Sequence, residues 1–254
     1  MKLRFAMGAL LASLSFSTHA LAADLKVLAT GATRGIVTSL AVGFERASGH
    51  RVTITSDTAG GVRRRIEGGE AADVVIGTPA VFQALSAAGK IAGSAVPIAS
   101  TGVGVGVKEG APSPDISTVE AFKATLLAAK SITYTDPAGG GTSGAYVASL
   151  IERLGLTDAM RGKTRLRQGG YAAEWVASGE IELVIHQISE IVPVRGARLV
   201  GPLPADIQMI TTYAAAVASN ARDPDAARAF LAHLTGPESV AVLAAAGMDR
   251  PTPR

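Results

Sequence analysis

From residue 25 to residue 246 the chain repeats one alternation, and that alternation decides its fold class. Short apolar runs, each ended by small or glycine-rich residues, take turns with segments whose apolar residues recur at helical spacing. Such alternation builds open, mostly parallel sheets covered by helices, an α/β fold. Residues 25–29 read as a first strand, 30–35 as a small polar loop, and 36–48 as a helix stopped by Gly49. Residues 51–55 alternate with period two and read as a second strand. Residues 58–61 read as a turn and 62–68 as a short basic helix. Residues 72–77 form a third, buried strand, followed by a helix over 79–88 that stops at Gly89. The steric rule for parallel crossovers makes this β-α-β-α-β unit right-handed.

Residues 101–107 break the pattern, because Gly102, Gly104 and Gly106 alternate with small apolar residues. A dinucleotide fingerprint needs a third glycine opening a helix and an acid about 20 residues later. Here the turn 108–112 follows instead, so 101–107 reads as a slim strand passing between two halves of the molecule. A second α/β set then runs from 117 to 204. It has helices over 118–129, 143–154 and 171–178 and strands over 131–135, 181–188 and 197–203, with a glycine loop at 139–141. Residues 210–217 read as a return crossing, and 224–235 and 237–246 as two closing helices with proline at their starts.

The first residues read as a secretory signal. Lys2 and Arg4 make a basic start, 5–16 an apolar run, and Ala20-Leu21-Ala22 a small-x-small site with cleavage expected after Ala22. That run is too short for about 30 Å of hydrocarbon. No later stretch is long and apolar enough to span a bilayer. The chain's 24 Lys and Arg become 22 once Lys2 and Arg4 are removed, against 21 Asp and Glu. The exported chain is thus almost neutral, which argues against nucleic-acid binding. Without cysteine, disulfides and thiolate metal sites are excluded.

Several stretches resemble one family when taken in order. They are the strand and loop 25–35, Ala71-Ala72-Asp73-Val74-Val75-Ile76-Gly77, and the glycine loop before Ala145-Tyr146. Gly179-Glu180-Ile181-Glu182 and Asp223-Pro224-Asp225-Ala226-Ala227-Arg228-Ala229-Phe230-Leu231 complete the set. Together they look like the periplasmic molybdate-binding proteins of ABC importers, within the type II solute-binding superfamily. The resemblance implies two lobes, 23–104 with 210–254 and 105–209, each a mostly parallel sheet flanked by helices. Two crossing strands would join them around a ligand cleft. It further implies binding without catalysis, an ABC permease of the inner membrane as partner, a monomer, and no cofactor or metal.

Ligand in such a fold sits beyond the carboxyl ends of strands, where helix N-termini offer unpaired N–H groups to anions. Three loops qualify, and they supply Thr33 and Arg34, then Thr58, Ala59 and Gly60, then Thr142, Ser143 and Gly144. Taken singly, their hydroxyls are ordinary helix caps. From the opposite lobe, the resemblance implies a backbone contact at the turn of Gly170 and Tyr171. It aligns the family's binding tyrosine with Gln187. Its two anion-binding serines align with Ala32 and with Thr58 or Ala59, so both are lost here. Arginine stands nearby instead, as Arg34 and as Arg63 to Arg65. A guanidinium fork matches a carboxylate bidentately, so a di- or tricarboxylic acid is expected ahead of molybdate or tungstate. A sensor that signals without transport would use the same lobes. The run 139–144 lacks the lysine of a phosphate-binding loop. Ser143, His186 and Asp136 can be assembled into a triad on paper, but no GxSxG elbow accompanies them. The four histidines have no metal-site spacing, and His186 reads as structural.

Overall fold

The computed structural model of the chain describes residues 22–251. The expected signal peptide ends at Ala22 and otherwise lies outside the described residues. The first half forms in the expected order: β1 (Asp24–Thr30), α1 (Arg34–Ser48), β2 (Arg51–Asp57), α2 (Ala59–Glu67), β3 (Val74–Gly77) and α3 (Pro79–Ala87). β1 pairs parallel with both β2 and β3. Period-two alternation sends Leu25, Val27 and Ala29 to one face, under α1, and Leu28 to the other, against α2 and α3. Gly49 ends α1 in the left-handed region at φ 75°, which costs glycine nothing.

β4 (Ile91–Lys108) is one strand of 18 residues. Its residues 91–102 pair antiparallel with β9 (Ile210–Ala218), which pairs in turn with β3. Its residues 103–108 pair antiparallel with β7 (Leu183–Gln187) on one side and β8 (Ala197–Pro202) on the other. β5 (Ile132–Thr135) continues that second sheet parallel to β7, and β6 (Thr164–Arg167) closes it beside β5. α4 (Val119–Ala128), α5 (Thr142–Arg153) and α6 (Thr157–Arg161) cover one face, where Phe122, Leu126, Val147 and Met160 pack on Val105 and Ile185. α7 (Ala173–Ser178) and the single turn α8 (Ile188–Ile191) cover the other. α9 (Pro224–Thr235) and α10 (Ser239–Ala245) return to the first sheet and pack beside α1.

Three expectations are corrected. Residues 58–61 are not a free turn, because the Thr58 hydroxyl accepts from Gly61 N–H and starts α2 at Ala59. The helix expected from Tyr171 begins at Ala173, after two glycines in the left-handed region, Gly169 and Gly170. The strand expected over 181–188 ends at Gln187, where α8 turns away. The glycines of 101–107 serve close packing. A Cβ on Gly104 would lie 2.8 Å from the Gly201 carbonyl oxygen, and one on Gly106 2.8 Å from Ile191.

At the point where β4 changes partners, the Gln208 side chain acts as a strand partner. Its Oε1 accepts from Val103 N–H at 2.8 Å and its Nε2 donates to the Val103 carbonyl at 2.9 Å. Oε1 also accepts from Met209 N–H. Gln208→Ala strips both N–H groups of that acceptor at a half-buried strand crossing. It is expected to lower stability by about 1–3 kcal/mol in urea denaturation; an unchanged midpoint would exclude the amide as a clamp.

Candidate functional site

A cleft of about 150 Å³ opens where the loops after β1 and β2 face the loops after β5, β6 and β7. Eight of the residues expected from sequence border it: Arg34, Thr58, Ala59, Thr142, Ser143, Gly170, Tyr171 and Gln187. Three do not. Thr33 is fully buried and its hydroxyl donates to the Thr30 carbonyl at 3.0 Å. Gly60 spends its N–H on the Gly140 carbonyl oxygen at 3.0 Å. Gly144 packs so closely that a Cβ would sit 2.1 Å from the Thr135 carbonyl oxygen, which brings the start of α5 against the end of β5.

The three helix starts differ in what they leave free. At α2 the Thr58 hydroxyl caps Gly61 and donates its only proton to the Gly139 carbonyl. Its donor capacity is used within the protein. At α5 the cap position is Gly141, which has no side chain to satisfy the first-turn N–H groups. Ser143 lies in that turn, and its hydroxyl has no hydrogen-bond partner among the described residues. Uncapped N–H groups and a positive dipole end suit an anion. At α1 a 3-10 turn over Gly31–Thr33 precedes the helix and sets Arg34 at its first position, on the cleft wall.

Charge in the cleft is sparse. None of the ion pairs among the described residues engages Arg34. The arginines after α2's start are occupied or turned away: Arg63 lies 3.7 Å from Glu67, and Arg65 pairs with Glu70 at 2.5 Å. Arg64 points across the rim toward the Gly139 carbonyl at 3.5 Å. Asp57 borders the cleft, but its Oδ1 accepts from Thr58 N–H at 2.7 Å and its Oδ2 lies 3.7 Å from Arg65.

Sequence reasoning missed the second carboxylate. Glu190, on α8, is buried and borders the cleft. Its Oε2 lies 3.0 Å from His186 Nδ1, and His186 Nε2 lies 2.7 Å from the Thr135 hydroxyl. Its Oε1 rests where a side chain on Gly31 would begin, 2.8 Å from that Cβ position. Two phenols, Tyr171 and Tyr213, stand around it. Burial, then the Glu190 charge, push the Tyr171 phenol up to about 12, with Glu174 adding to the rise and Arg34 opposing it. Burial and then Glu190 likewise hold Tyr213 well above the ordinary phenol range. Both phenols stay protonated at neutral pH and remain donors. A signal for Glu190 existed in sequence as an acid four residues after His186, but α8 is one turn long and leaves no periodic trace. The paper triad does not assemble: His186 holds Thr135 and Glu190, and Asp136 instead accepts from Gln168 and Ala138 N–H.

Gln187 also borders the cleft. Its Nε2 donates to the Thr211 hydroxyl at 3.0 Å, while its buried Oε1 has no partner among the described residues. Turning the amide over keeps the Thr211 bond, with the hydroxyl now donating, and sends N–H₂ to the unpartnered side.

Across the cleft mouth two glycines touch. A Cβ on Gly140, whose φ is 77°, would lie 2.9 Å from Gly60 Cα. Gly140→Val adds left-handed strain of about 1–2 kcal/mol to that clash. It is expected to hold the lobes apart, and small-angle scattering should report a larger radius of gyration than for the unaltered protein. An unchanged radius would show that this contact does not set closure.

Residues 25–249 match the family described as bacterial extracellular solute-binding protein. A relative from Pseudomonas sp., named aconitate isomerase, is 34% identical over 98% of this chain and 96% of its own length. The Azotobacter vinelandii periplasmic molybdate-binding protein shares the fold at TM-score 0.76 and 22% identity, over 90% of this chain and all of that one. The sulfate-binding protein SubI of Mycobacterium tuberculosis does so at TM-score 0.72 and 17% identity, over 91% and 88%. The chain belongs to the bacterial extracellular solute-binding family and has the fold of molybdate-binding-like type II periplasmic binding proteins, two lobes of α/β structure.

Proposed function

We propose that this solute-binding protein works outside the cytoplasmic membrane and takes a small polycarboxylic acid, of the aconitate class, into the cleft between its lobes. The observation that carries the reading is Arg34, a guanidinium on the cleft wall without an ion-pair partner among the described residues. A planar fork of donors fits a carboxylate edge on. The uncapped start of α5, the Ser143 hydroxyl, the Tyr171 phenol and the Gln187 amide surround the same space with neutral donors. They suit a second and a third carboxylate. The name of the Pseudomonas relative supports the same class, since aconitate carries three carboxylates on a three-carbon frame. The basic start and the small-x-small site support export, and family membership supports a protein that presents its load to an ABC permease.

A second reading extends the first: the cleft also isomerises its ligand. The relative's name and the Glu190–His186 pair favour it. Aconitate consists of a methylene arm and a vinyl arm on one carboxyl-bearing carbon. Moving a proton from the first arm to the second exchanges the arms without any redox change. The geometry of the new double bond follows from the conformation in which the former single bond is held.

Calorimetry with cis-aconitate, trans-aconitate, citrate and saturated tricarballylate, beside molybdate, tungstate and sulfate, tests the ligand class. Tricarboxylates are expected to bind. Binding of the inorganic oxyanions alone would overturn it. Arg34→Ala is expected to weaken tricarboxylate binding roughly 10- to 150-fold, the range of a lost charge-assisted hydrogen bond. Equal affinity would remove Arg34 as the anchor.

A further inference from the structure

We propose that Glu190 is the catalytic acid–base residue of the cleft, carrying one proton between the two arms of a bound unsaturated tricarboxylic acid, with His186 as its positioning residue. The inference rests on the isomerising reading and assigns its chemistry to named atoms.

Its ground is a division of labour within one carboxylate. Glu190 is 8% exposed, and Oε2 is held by His186 Nδ1 at 3.0 Å. His186 is in turn fixed: with its proton on Nδ1, which donates to Glu190, its Nε2 accepts from the Thr135 hydroxyl at 2.7 Å. The second oxygen, Oε1, has no hydrogen-bond partner among the described residues and lies 2.8 Å from where a Cβ on Gly31 would sit, and both residues border the cleft. A carboxylate kept only for structure would satisfy both oxygens, since burying an unpaired one is costly. Here one oxygen is anchored and the other is left unpaired in a residue that borders the cleft. Among the described residues the one other carboxylate bordering the cleft, Asp57, is engaged by Thr58 N–H and lies near Arg65. The cysteine-free chain has no thiol to add to the double bond.

The step balances without a co-reactant. Oε1 takes a proton from the methylene carbon, and that C–H bond breaks. Its electron pair forms a double bond to the central carbon. The former π pair takes the proton back from Glu190 at the far carbon, and the carboxylate is ionised again. Charge that develops at the two ends spreads into the carboxylates attached there, where Arg34 and the Tyr171 phenol stand as donors. The two carbons are both bonded to the central one, so a single oxygen reaches both from one face of the ligand.

The test uses the full exported chain and proton NMR in D₂O with cis- or trans-aconitate. The unaltered protein is expected to interconvert the isomers and to exchange methylene hydrogen for deuterium. Glu190→Gln keeps size and removes the base. It should lose conversion and exchange by about 10²–10⁴-fold, the usual worth of a positioned acid or base, while still binding tricarballylate in calorimetry. Glu190→Asp, which retains a carboxylate set back by one methylene, should recover part of kcat with KM little altered. If Glu190→Gln converts at the unaltered rate, Glu190 is structural and the proposal falls while the isomerising reading stands. If the unaltered protein binds aconitate but neither converts nor exchanges it, the proposal falls with the isomerising reading, and the binding reading stands. If both Glu190 variants lose tricarballylate binding, the residue holds the cleft together and the proposal is overturned.

Discussion

Both sheets of this molecule hang on one strand. β4 runs 18 residues, and between Gly102 and Val103 it passes from the antiparallel partner β9 to the partners β7 and β8. A continuous extended backbone fixes the distance between the two hydrophobic cores and the sense in which their loop ends face. The carboxyl ends of β1 and β2 are turned toward those of β5 and β7 across one gap, the place where open α/β sheets hold their ligands. The hand-over point has to keep its backbone paired, and Gln208 does that by offering an amide where no strand is available. Glycine is required beside it because neighbouring chains approach so closely. A methyl group on Gly102 would meet the Gln208 amide at 3.0 Å. The slim strand is therefore packed closely at Gly102, Gly104 and Gly106.

Within the gap, hydrogen-bonding capacity is unevenly spent. The α2 side is closed on itself: the Thr58 hydroxyl caps its own helix and grips Gly139, and Gly60 N–H is bonded to Gly140. These contacts join the lobes directly. The α5 side, Arg34, Tyr171 and Gln187 keep donors in hand. That asymmetry separates residues that close the cleft from residues that can meet a ligand, although both kinds lie on similar glycine-rich turns. It also explains why Arg34 and the three consecutive arginines 63–65 are not equivalent. Arg63 and Arg65 have carboxylate partners, Arg64 leans on the rim, and Arg34 stands on the wall with no ion-pair partner among the described residues.

The fold was legible in sequence wherever an element is long enough to show its period. β1, α1, β3, α3 and α9 were all anticipated to within two residues, because an alternating or helical apolar pattern is what buries one face. The Asp73 of the Ala-Ala-Asp-Val-Val-Ile-Gly stretch shows why that segment is distinctive. Its buried carboxylate accepts from Lys26 N–H and Arg222 N–H, both at 2.7 Å, and stitches β1 and the end of β9 to β3. What stayed hidden is short or polar. β6 is a four-residue edge strand with two arginines, α6 is barely one turn, and α8 is shorter still. The cleft suffered most from this. Five of its residues followed from loop position and three, Gly170, Tyr171 and Gln187, from family resemblance, but Glu190 rides on α8, and its meaning depends on His186, Gly31 and two tyrosines that arrive from other elements. Spacing alone cannot tell a helix cap from a ligand donor either. Thr58 and Ser143 look alike in sequence and differ only in whether their hydroxyls are already engaged.

A binding protein and a catalyst built on this frame ask for opposite things from Glu190. In a site that only captures polyanions, a carboxylate on the wall repels the cargo. At an effective dielectric near 20 the cost is about 4 kcal/mol for unit charges 4 Å apart. Replacing it by a neutral donor would raise affinity at once. Affinity alone gives no reason to bury such a group, to brace one of its oxygens with a histidine that is itself braced by Thr135, and to leave the other oxygen open. Catalysis does give one, because interactions that weaken the bound ground state are tolerated when the same group lowers the transition state. The lobes then serve a second purpose. Enclosing the ligand between them excludes water, which strengthens the electrostatic contacts around it while the proton is moved. On this view a solute-binding fold becomes an isomerase through little more than one anchored carboxylate, because selectivity, enclosure and orientation were already supplied by the cleft.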